Sequence, residues 1–137
     1  MRFASPVVKT GRGLLLSPHF GRARHFAVVE VGEGGYRVVE VFENPGLGRE
    51  GYGRARAIVE ELARRGVGAV VVSEVGPGAF SLLRERGFRV LAPRRAPGRL
   101  PSIEEVAEAV GRGEVVELEA PNEEHGEDAE GGGGGNQ

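Results

Sequence analysis

The chain has 137 residues and a mass of 14.5 kDa, which is the size of one ordinary domain. Hydrophobic residues make up 39% and charged residues 28%, which suits a globular protein with one core. No apolar run approaches the ~20 residues that a membrane-spanning helix needs, and no secretory signal begins the chain, so we expect a cytoplasmic protein. Cysteine is absent, which excludes disulfides, thiolate metal ligands and cysteine nucleophiles.

The net charge of −2 conceals a mildly basic body and an acidic C-terminal segment. All 18 basic residues precede residue 120, whereas the segment after it carries Glu123, Glu124, Glu127, Asp128 and Glu130. The small positive excess of the body is far below that of a dedicated nucleic-acid-binding protein. From Pro121 onward the composition turns to acid and glycine, and we expect disorder there.

The first third of the chain is predicted to form three strands. The apolar segment that begins at Phe3 is interrupted by Pro6, which suggests an irregular or edge strand. Residues 14–16 can pair briefly after a turn. Residues 25–31 and 36–43 are rich in Val and Phe and are joined by a glycine-rich turn, which predicts a β-hairpin.

A helix and a buried strand are predicted next. After a glycine-rich loop at residues 45–53, apolar residues recur at helical spacing. These residues are Ala55, Ile58, Val59, Leu62 and Ala63. Gly66 is expected to end the helix. The continuous apolar run at residues 67–72 is typical of a strand that is buried on both faces, as in a parallel sheet.

The same alternation continues towards the C-terminus. Pro77 suits the first turn of a second helix, and residues 88–92 form another buried strand. Ser102, with Glu105 three residues later, is a capping box for a third helix, and residues 114–119 can form a last extended segment. The order βββ-α-β-α-β-α predicts an α/β fold, with a mixed sheet of about five strands and helices on its faces. We expect this domain to span residues 1–119, before a tail at 120–137.

Two loops can carry chemistry. In residues 17–23 the imidazole of His19 can ligate a transition metal, and the guanidinium of Arg22 can neutralise an anionic ligand. Before the second helix, Gly76 and Gly78 would let the backbone approach an anion at a helix start beyond a strand end. Both patterns also have a structural interpretation, in which the glycines serve a turn, His19 caps a turn and Arg22 lies on the surface.

The other histidines and the carboxylates are less informative. His25 begins a strand, which favours a structural role, and His125 lies in the acidic tail, where it can ligate a metal or do nothing. A P-loop and the dinucleotide-binding glycine pattern are absent from the sequence. A two-metal nuclease would need several inward carboxylates. The candidates Glu30, Glu40, Glu43 and Glu74 show no such pattern.

The sequence resembles the dinitrogenase iron–molybdenum cofactor biosynthesis accessory proteins. The resemblance begins with Ser-Pro-His-Phe-Gly-Arg-Ala at residues 17–23 and the strand that follows. It continues through Glu-Asn-Pro at residues 43–45 and through residues 69–80, which end in Gly-Pro-Gly-Ala-Phe. Residues 83–90 and the helix at residues 103–110 fit the same plan. Together these motifs cover roughly residues 1–119.

The resemblance implies a ribonuclease-H-like mixed sheet and a non-enzymatic carrier of the iron–molybdenum cofactor, its iron–sulfur precursor or a related anionic metal cluster. It implies that His19 is a cofactor or metal contact, with Arg22, Gly76 and Gly78 near the same cavity. Metal-cluster assembly proteins are the implied partners, with neither nucleic acid nor membrane. Many relatives end in a Cys- and His-bearing tail, whereas this tail keeps only His125 as a lesser metal candidate. Any cluster would therefore be bound transiently.

Two other hypotheses stay open from the sequence. The missing cysteines and the acidic tail also suit a protein–protein adaptor whose ligand pocket is vestigial. A stoichiometric partner recovered with metal-free protein would favour the adaptor. A nuclease on the same scaffold would show metal-dependent cleavage of RNA–DNA hybrids that is lost on changing Glu30 or Glu40.

Overall fold

A computed structural model describes residues 1–94 and 98–123. Within these residues the strands are β1 (Arg2–Thr10), β2 (Gly13–Leu16), β3 (His25–Gly32), β4 (Gly35–Glu43), β5 (Ala69–Val71), β6 (Arg89–Pro93) and β7 (Val115–Glu117). The helices are α1 (Gly51–Arg64), α2 (Pro77–Glu85) and α3 (Ile103–Arg112). No helix in this part of the chain is long and apolar enough to cross a membrane. The predicted disorder of the tail and the position of His125 lie outside the described residues.

The strands form one mixed sheet in the order β4-β3-β1-β5-β6-β7, and β2 also pairs with β1. The β1–β5 and β5–β6 pairs are parallel, and the remaining pairs are antiparallel. The predicted mixed α/β sheet is therefore confirmed, but the described residues form seven strands rather than about five. The two additional strands, β2 and β7, lie where residues 14–16 and 114–119 were expected to be extended, and they have only four and three residues.

The first strand corrects one prediction. β1 is neither irregular nor at an edge, because it pairs with β2, β3 and β5. Pro6 lies between Ala4, where pairing with β5 ends, and Val7, where pairing with β2 begins. Pro6 itself pairs with neither β5 nor β2, so its missing N–H interrupts neither of those two ladders. Its carbonyl accepts a hydrogen bond from the Ser17 amide at 2.8 Å.

The core lies on both faces of the sheet. Helices α1 and α2 cover one face, where Ala4, Phe26 and Val28 contribute buried side chains. Helix α3 covers the other face, where the alternate residues Phe3 and Val29 point. This two-sided burial explains the continuous apolar runs of the parallel strands.

Most of the local structures that the sequence predicted are observed. The hairpin of β3 and β4 forms as expected, and Gly35 at its turn has a φ of 128°. The capping box of α3 is complete, with Ser102 Oγ accepting from the Glu105 amide at 3.1 Å and Glu105 Oε1 accepting from the Ser102 amide at 2.8 Å. Helix α1 differs from the prediction because it begins at Gly51, inside the expected loop.

Candidate functional site

The starts of α1 and α2 and the loop between β2 and β3 enclose a narrow cleft with a cavity volume of about 20 Å³. Its lining residues are Phe20, Gly21, Gly51, Arg54, Ala55, Gly76, Ala79 and Glu123. The two loops singled out from the sequence therefore meet at one place, through Gly21 and Gly76. This volume is far below the ~300–1,000 Å³ that is usual for ligand pockets, so the cleft has room for one small group of a ligand whose remainder lies outside it.

The loop that carries His19 is fixed by its neighbours. Ser17 Oγ accepts a hydrogen bond from the His19 amide at 3.1 Å and donates to the His19 carbonyl at 2.9 Å. Phe20 is 1% exposed and packs edge-on against Phe26, with 5.4 Å between ring centroids. The backbone of the loop is thereby held between a local turn and the core, and Gly21 faces the cleft.

The buried side chain of Asn44 ties this loop to the segment that leads into α1. Its Nδ2 donates to the carbonyls of Gly21 at 2.9 Å and Ala23 at 2.7 Å. Its Oδ1 accepts from the Gly46 amide at 2.6 Å. One amide thus connects two walls of the cleft. Sequence analysis gave Asn44 no role of its own, although an Asn-Pro pair directly after a strand was a signal for such a turn.

The start of α1 leaves its first amides available. Glu50 is the N-cap, but its side chain makes no cap hydrogen bond to the helix. Gly51 has a φ of 54°, which favours glycine, and Tyr52 and Gly53 are not acidic. The orphan N–H groups and the positive end of the helix dipole therefore lie beside the cleft without a nearby carboxylate from the first turn.

Arg54 adds a guanidinium to this wall of the cleft. Its Nε donates to the Arg49 carbonyl at 3.1 Å, which holds the side chain along the start of α1. Gly46 packs so closely that a Cβ there would lie 2.8 Å from the Arg54 carbonyl oxygen. Sequence analysis missed Arg54. An arginine near the start of a helix whose first turn has no acidic residue was the available signal.

The start of α2 forms the facing wall. Gly76 is the N-cap and, being a glycine, makes no side-chain cap hydrogen bond to the first amides. Asn122 holds the preceding loop, since its Oδ1 accepts from the Val75 amide at 2.8 Å and its Nδ2 donates to the Ser73 carbonyl at 3.0 Å. The amides of Asn122 and Glu123 both donate to the Val75 carbonyl, at 3.1 and 3.2 Å. This attachment brings Glu123 to the cleft.

The predicted site residues lie in and beside the cleft. Gly76 lines it, whereas His19, Arg22 and Gly78 are not among its lining residues within the described ranges. His19 is half-buried and Arg22 is exposed, with 3.4 Å between Arg22 Nη2 and His19 Nδ1. The imidazole and the guanidinium thus approach each other on the outer side of the loop that presents Gly21. Their roles as ligand contacts stay predictions.

Clustered metal ligands are not found in the described ranges. Within residues 1–94 and 98–123, no group of three or more His, Asp or Glu side chains is placed to hold a metal ion. Glu30 forms ion pairs with Arg2 at 2.8 Å and Arg37 at 3.0 Å, and Glu40 pairs with Arg65. The hydrogen bond from Arg2 lowers the pKa of Glu30. Both carboxylates named in the nuclease hypothesis are thus engaged in ion pairs.

His25 and Glu74 are placed away from the lining. The backbone of His25 pairs with Val7 and Glu43, and burial, followed by the charge of Lys9, lowers the pKa of its imidazole. Glu74 is exposed and is not among the described residues that line the cleft, so its carboxylate is not aimed at a ligand there. The acidic residue that does line it is Glu123.

A larger and mostly apolar groove lies between the end of β6 and the segment before α3. Leu16, Ala92 and Val116 contribute to its walls. Arg99, also on its rim, is engaged by both carboxylate oxygens of Glu105 at 2.9 Å. Since this arginine is committed to the capping box of α3, the smaller cleft is the better candidate for binding an anion.

The region that forms the cleft lies within a known protein family. The family model of the dinitrogenase iron–molybdenum cofactor proteins matches residues 1–113. The chain belongs to this family. The motif-based resemblance is therefore confirmed, and the matched region includes the loops and helix starts that form the cleft.

Solved structures of similar proteins share the fold. The apo form of the orange protein from Desulfovibrio gigas is 26% identical, with a TM-score of 0.73 over 89% of this chain and 96% of that protein. An NMR structure of a Thermotoga protein, assigned provisionally to NifB, is 27% identical, with a TM-score of 0.67 over 90% of this chain and 97% of that one. These relatives have the same mixed sheet over nearly their whole length.

A curated relative matches a shorter region. An uncharacterised protein of Methanocaldococcus jannaschii is 38% identical over 76 residues, which are 55% of this chain and 63% of the relative. The matched region thus spans less than two thirds of that protein. A proposed dinitrogenase from the same organism is 13% identical, with a TM-score of 0.58 over 88% of this chain and 97% of that one, and shows a common fold alone.

Proposed function

We propose that the protein binds and carries an anionic metal–sulfur cofactor without catalysing a reaction. The cargo would be the iron–molybdenum cofactor, its iron–sulfur precursor or a related anionic metal cluster. Membership in the dinitrogenase iron–molybdenum cofactor family supports this class of cargo. Such a carrier requires metal-cluster assembly proteins as partners. We also propose that the fold is related to that of ribonuclease H.

The observation that carries the proposal is the meeting of two helix starts at one cleft. Gly51 of α1 and the N-cap Gly76 of α2 both line it, and the N-cap residue of neither helix makes a side-chain cap bond. Orphan amides and aligned dipoles attract an anion at such a point. Arg54 in the lining adds a full positive charge with several donors.

The donor set fits a transient rather than a permanent complex. The chain has no cysteine, and iron–sulfur clusters are usually held by thiolates. Amides and a guanidinium recognise the charge of a cluster without replacing its own ligands. His19, beside the cleft, is the residue that can add a direct bond to metal through a ring nitrogen.

The test is an anaerobic titration of the purified full chain with an isolated molybdenum–iron–sulfur cluster, followed by the visible absorption of the cluster. Arg54→Gln should weaken binding about tenfold, the effect expected when a charged hydrogen bond of about 1.5 kcal/mol is lost. His19→Ala should weaken it further or change the spectrum. Arg112→Gln and His25→Ala are matched controls away from the cleft and should bind like the unaltered chain.

The outcomes separate the rival interpretations. Absence of cluster binding by the unaltered chain would contradict the carrier proposal. Equal binding by His19→Ala and the unaltered chain would remove the role given to His19 but leave the cleft in place. Metal-free protein that recovers a stoichiometric partner from native lysate would instead favour the adaptor hypothesis.

A further inference from the structure

The surface around the start of α1 is basic and partly apolar. Outside the cleft, Arg49, Tyr52 and Arg56 line a groove along this helix. Tyr52 is 59% exposed and the nearby Leu47 is 40% exposed. Arg56 pairs with Glu60 at 3.2 Å, but both side chains are largely exposed, and such a pair contributes little and exchanges readily. The surface therefore suits an acidic peptide segment, because its carboxylates can pair with the arginines.

The described chain ends at this surface. Asn122 is fastened to the loop before α2 by its side chain and its backbone. The next residue, Glu123, lines the cleft together with Gly51 and Arg54. The segment that follows therefore starts within the candidate anion site.

The charge and length of residues 124–137 match the surface. The segment carries Glu124, Glu127, Asp128 and Glu130 and contains no lysine or arginine. An extended chain covers about 3.5 Å per residue, so Glu130 can reach roughly 25 Å from Glu123. A helix rises about 1.5 Å per residue, so Gly51 and Arg56 are only about 8 Å apart along α1. All four acids can therefore reach the basic start of the helix.

We propose that residues 124–137 dock on the cleft and on the Arg49–Arg56 groove as an intramolecular anionic ligand that cargo must displace. Tethering at Asn122 gives the segment an effective concentration of about 1 mM, so weak individual contacts suffice. The docking is independent of the cargo, whereas the displacement rests on the proposed function. Since the contacts are between exposed charges, docking should weaken as salt rises.

The first experiment tests docking alone, in the full chain with no anion added. The test variant replaces the tail acids by Glu124→Gln, Glu127→Gln, Asp128→Asn and Glu130→Gln. In ¹⁵N spectra, the amides of Gly51, Gly53, Arg54 and Gly76 should shift relative to the unaltered chain, while the amides at the start of α3 stay in place. Raising NaCl to high concentration should move the unaltered spectrum towards that of the variant. Identical amide positions around α1 in both proteins would overturn the docking.

A matched control removes the same number of acids elsewhere. Its substitutions are Glu104→Gln, Glu108→Gln, Glu114→Gln and Glu119→Gln. This control should leave the amides of α1 in place, because it removes the same charge and none of its four acids lines the cleft. Asn122→Ala should give a smaller shift than the tail variant, since it loosens the tether but keeps the acids. Equal shifts from the control and the tail variant would contradict a specific contact.

The second experiment tests displacement with molybdate as a simple dianionic probe. Neutralising the tail should tighten molybdate binding about three- to tenfold, the range expected when a tethered competitor is removed. Shifted amides with unchanged molybdate affinity would overturn the displacement. Failure of the tail variant to bind the molybdenum–iron–sulfur cluster would contradict the proposed function instead, and the amide shifts would be unaffected.

Discussion

The helix starts of this protein are built in two different ways. Helix α3 is closed by its own side chains, with the reciprocal bonds of Ser102 and Glu105 and with acidic residues in its first turn. Helices α1 and α2 have neither feature within the described residues, and both begin at the cleft. The start of α3, where side chains of the helix itself bind the first amides, is thus separate from the starts of α1 and α2, where the first amides are left for a ligand. We call the start of α3 the closed end of the molecule.

The shape of the cleft is nevertheless fixed by two asparagine side chains. Asn44, which is 4% exposed, fixes two of its walls, and the more exposed Asn122 fixes the third. Amide side chains of neighbouring loops thus hold the segments before the two helices without capping either helix. This arrangement keeps the positive ends of two helix dipoles free for a ligand, at some loss of helix stability.

The largest expected effect is on this support. Asn44→Ala removes three hydrogen bonds, two to carbonyls and one from the Gly46 amide, and should lower the free energy of unfolding by about 3 kcal/mol. Urea denaturation measures the change. Asn122→Ala is the matched comparison and should cost about 1 kcal/mol or less, because water can replace its exposed bonds. Equal losses from both would show that burial does not distinguish the two supports.

A smaller loss is expected at the closed end. Ser102→Ala removes the cap of α3 and should lower the free energy of unfolding by about 1 kcal/mol. Ser81→Ala, on an exposed position of α2, is the matched control and should be neutral or slightly stabilising. Cluster affinity should be unchanged in both variants. A clear loss of affinity in Ser102→Ala would contradict the separation of the two ends.

The parts that sequence predicted are those set by neighbouring residues. The capping box of Ser102 and Glu105 spans three positions, and the hairpin turn between β3 and β4 is equally local. The two parallel strands were recognisable because burial on both faces leaves a continuous apolar run. Local patterns of this kind also placed Gly76 at a helix start beside the candidate site.

The parts that sequence missed depend on distant contacts. Asn44 meets Gly21 across 23 positions, and Asn122 meets Ser73 across 49. The central place of β1 was missed because the penalty at Pro6 depends on which strands lie beside it. Arg54 was overlooked because its importance comes from the loop and the second helix that it faces. The spatial relation of His19 to the cleft was likewise beyond sequence spacing.

Adding charge to an open helix start should sharpen the contrast. Gly53 lies in the first turn of α1 and is exposed, and a Cβ added there would meet no atom within 4 Å. Gly53→Gln and Gly53→Glu should each raise the free energy of unfolding by about 0.5–1 kcal/mol, since glycine is a poor helix former. Only Gly53→Glu should weaken cluster binding, by about two- to fivefold, because its carboxylate opposes the dipole's attraction for an anion. Equal affinities in the two variants would count against a dipole contribution.

The smallest effect should appear as pH dependence at the closed end. Hydrogen bonding by Arg99, and then by the Ser102 backbone, lowers the pKa of Glu105 from 4.5 to about 2. Because the folded-state pKa is the lower one, this carboxylate stabilises the fold above about pH 4.5, and the contribution is lost as pH falls towards 2. Urea midpoints of the unaltered chain should therefore fall across this window more steeply than those of Glu105→Gln, with Glu104→Gln as the control. A ¹³C titration that found the Glu105 carboxyl at its ordinary pKa would show that the start of α3 is not closed by a charged cap. The electrostatic difference between this helix start and those of α1 and α2 would then be absent.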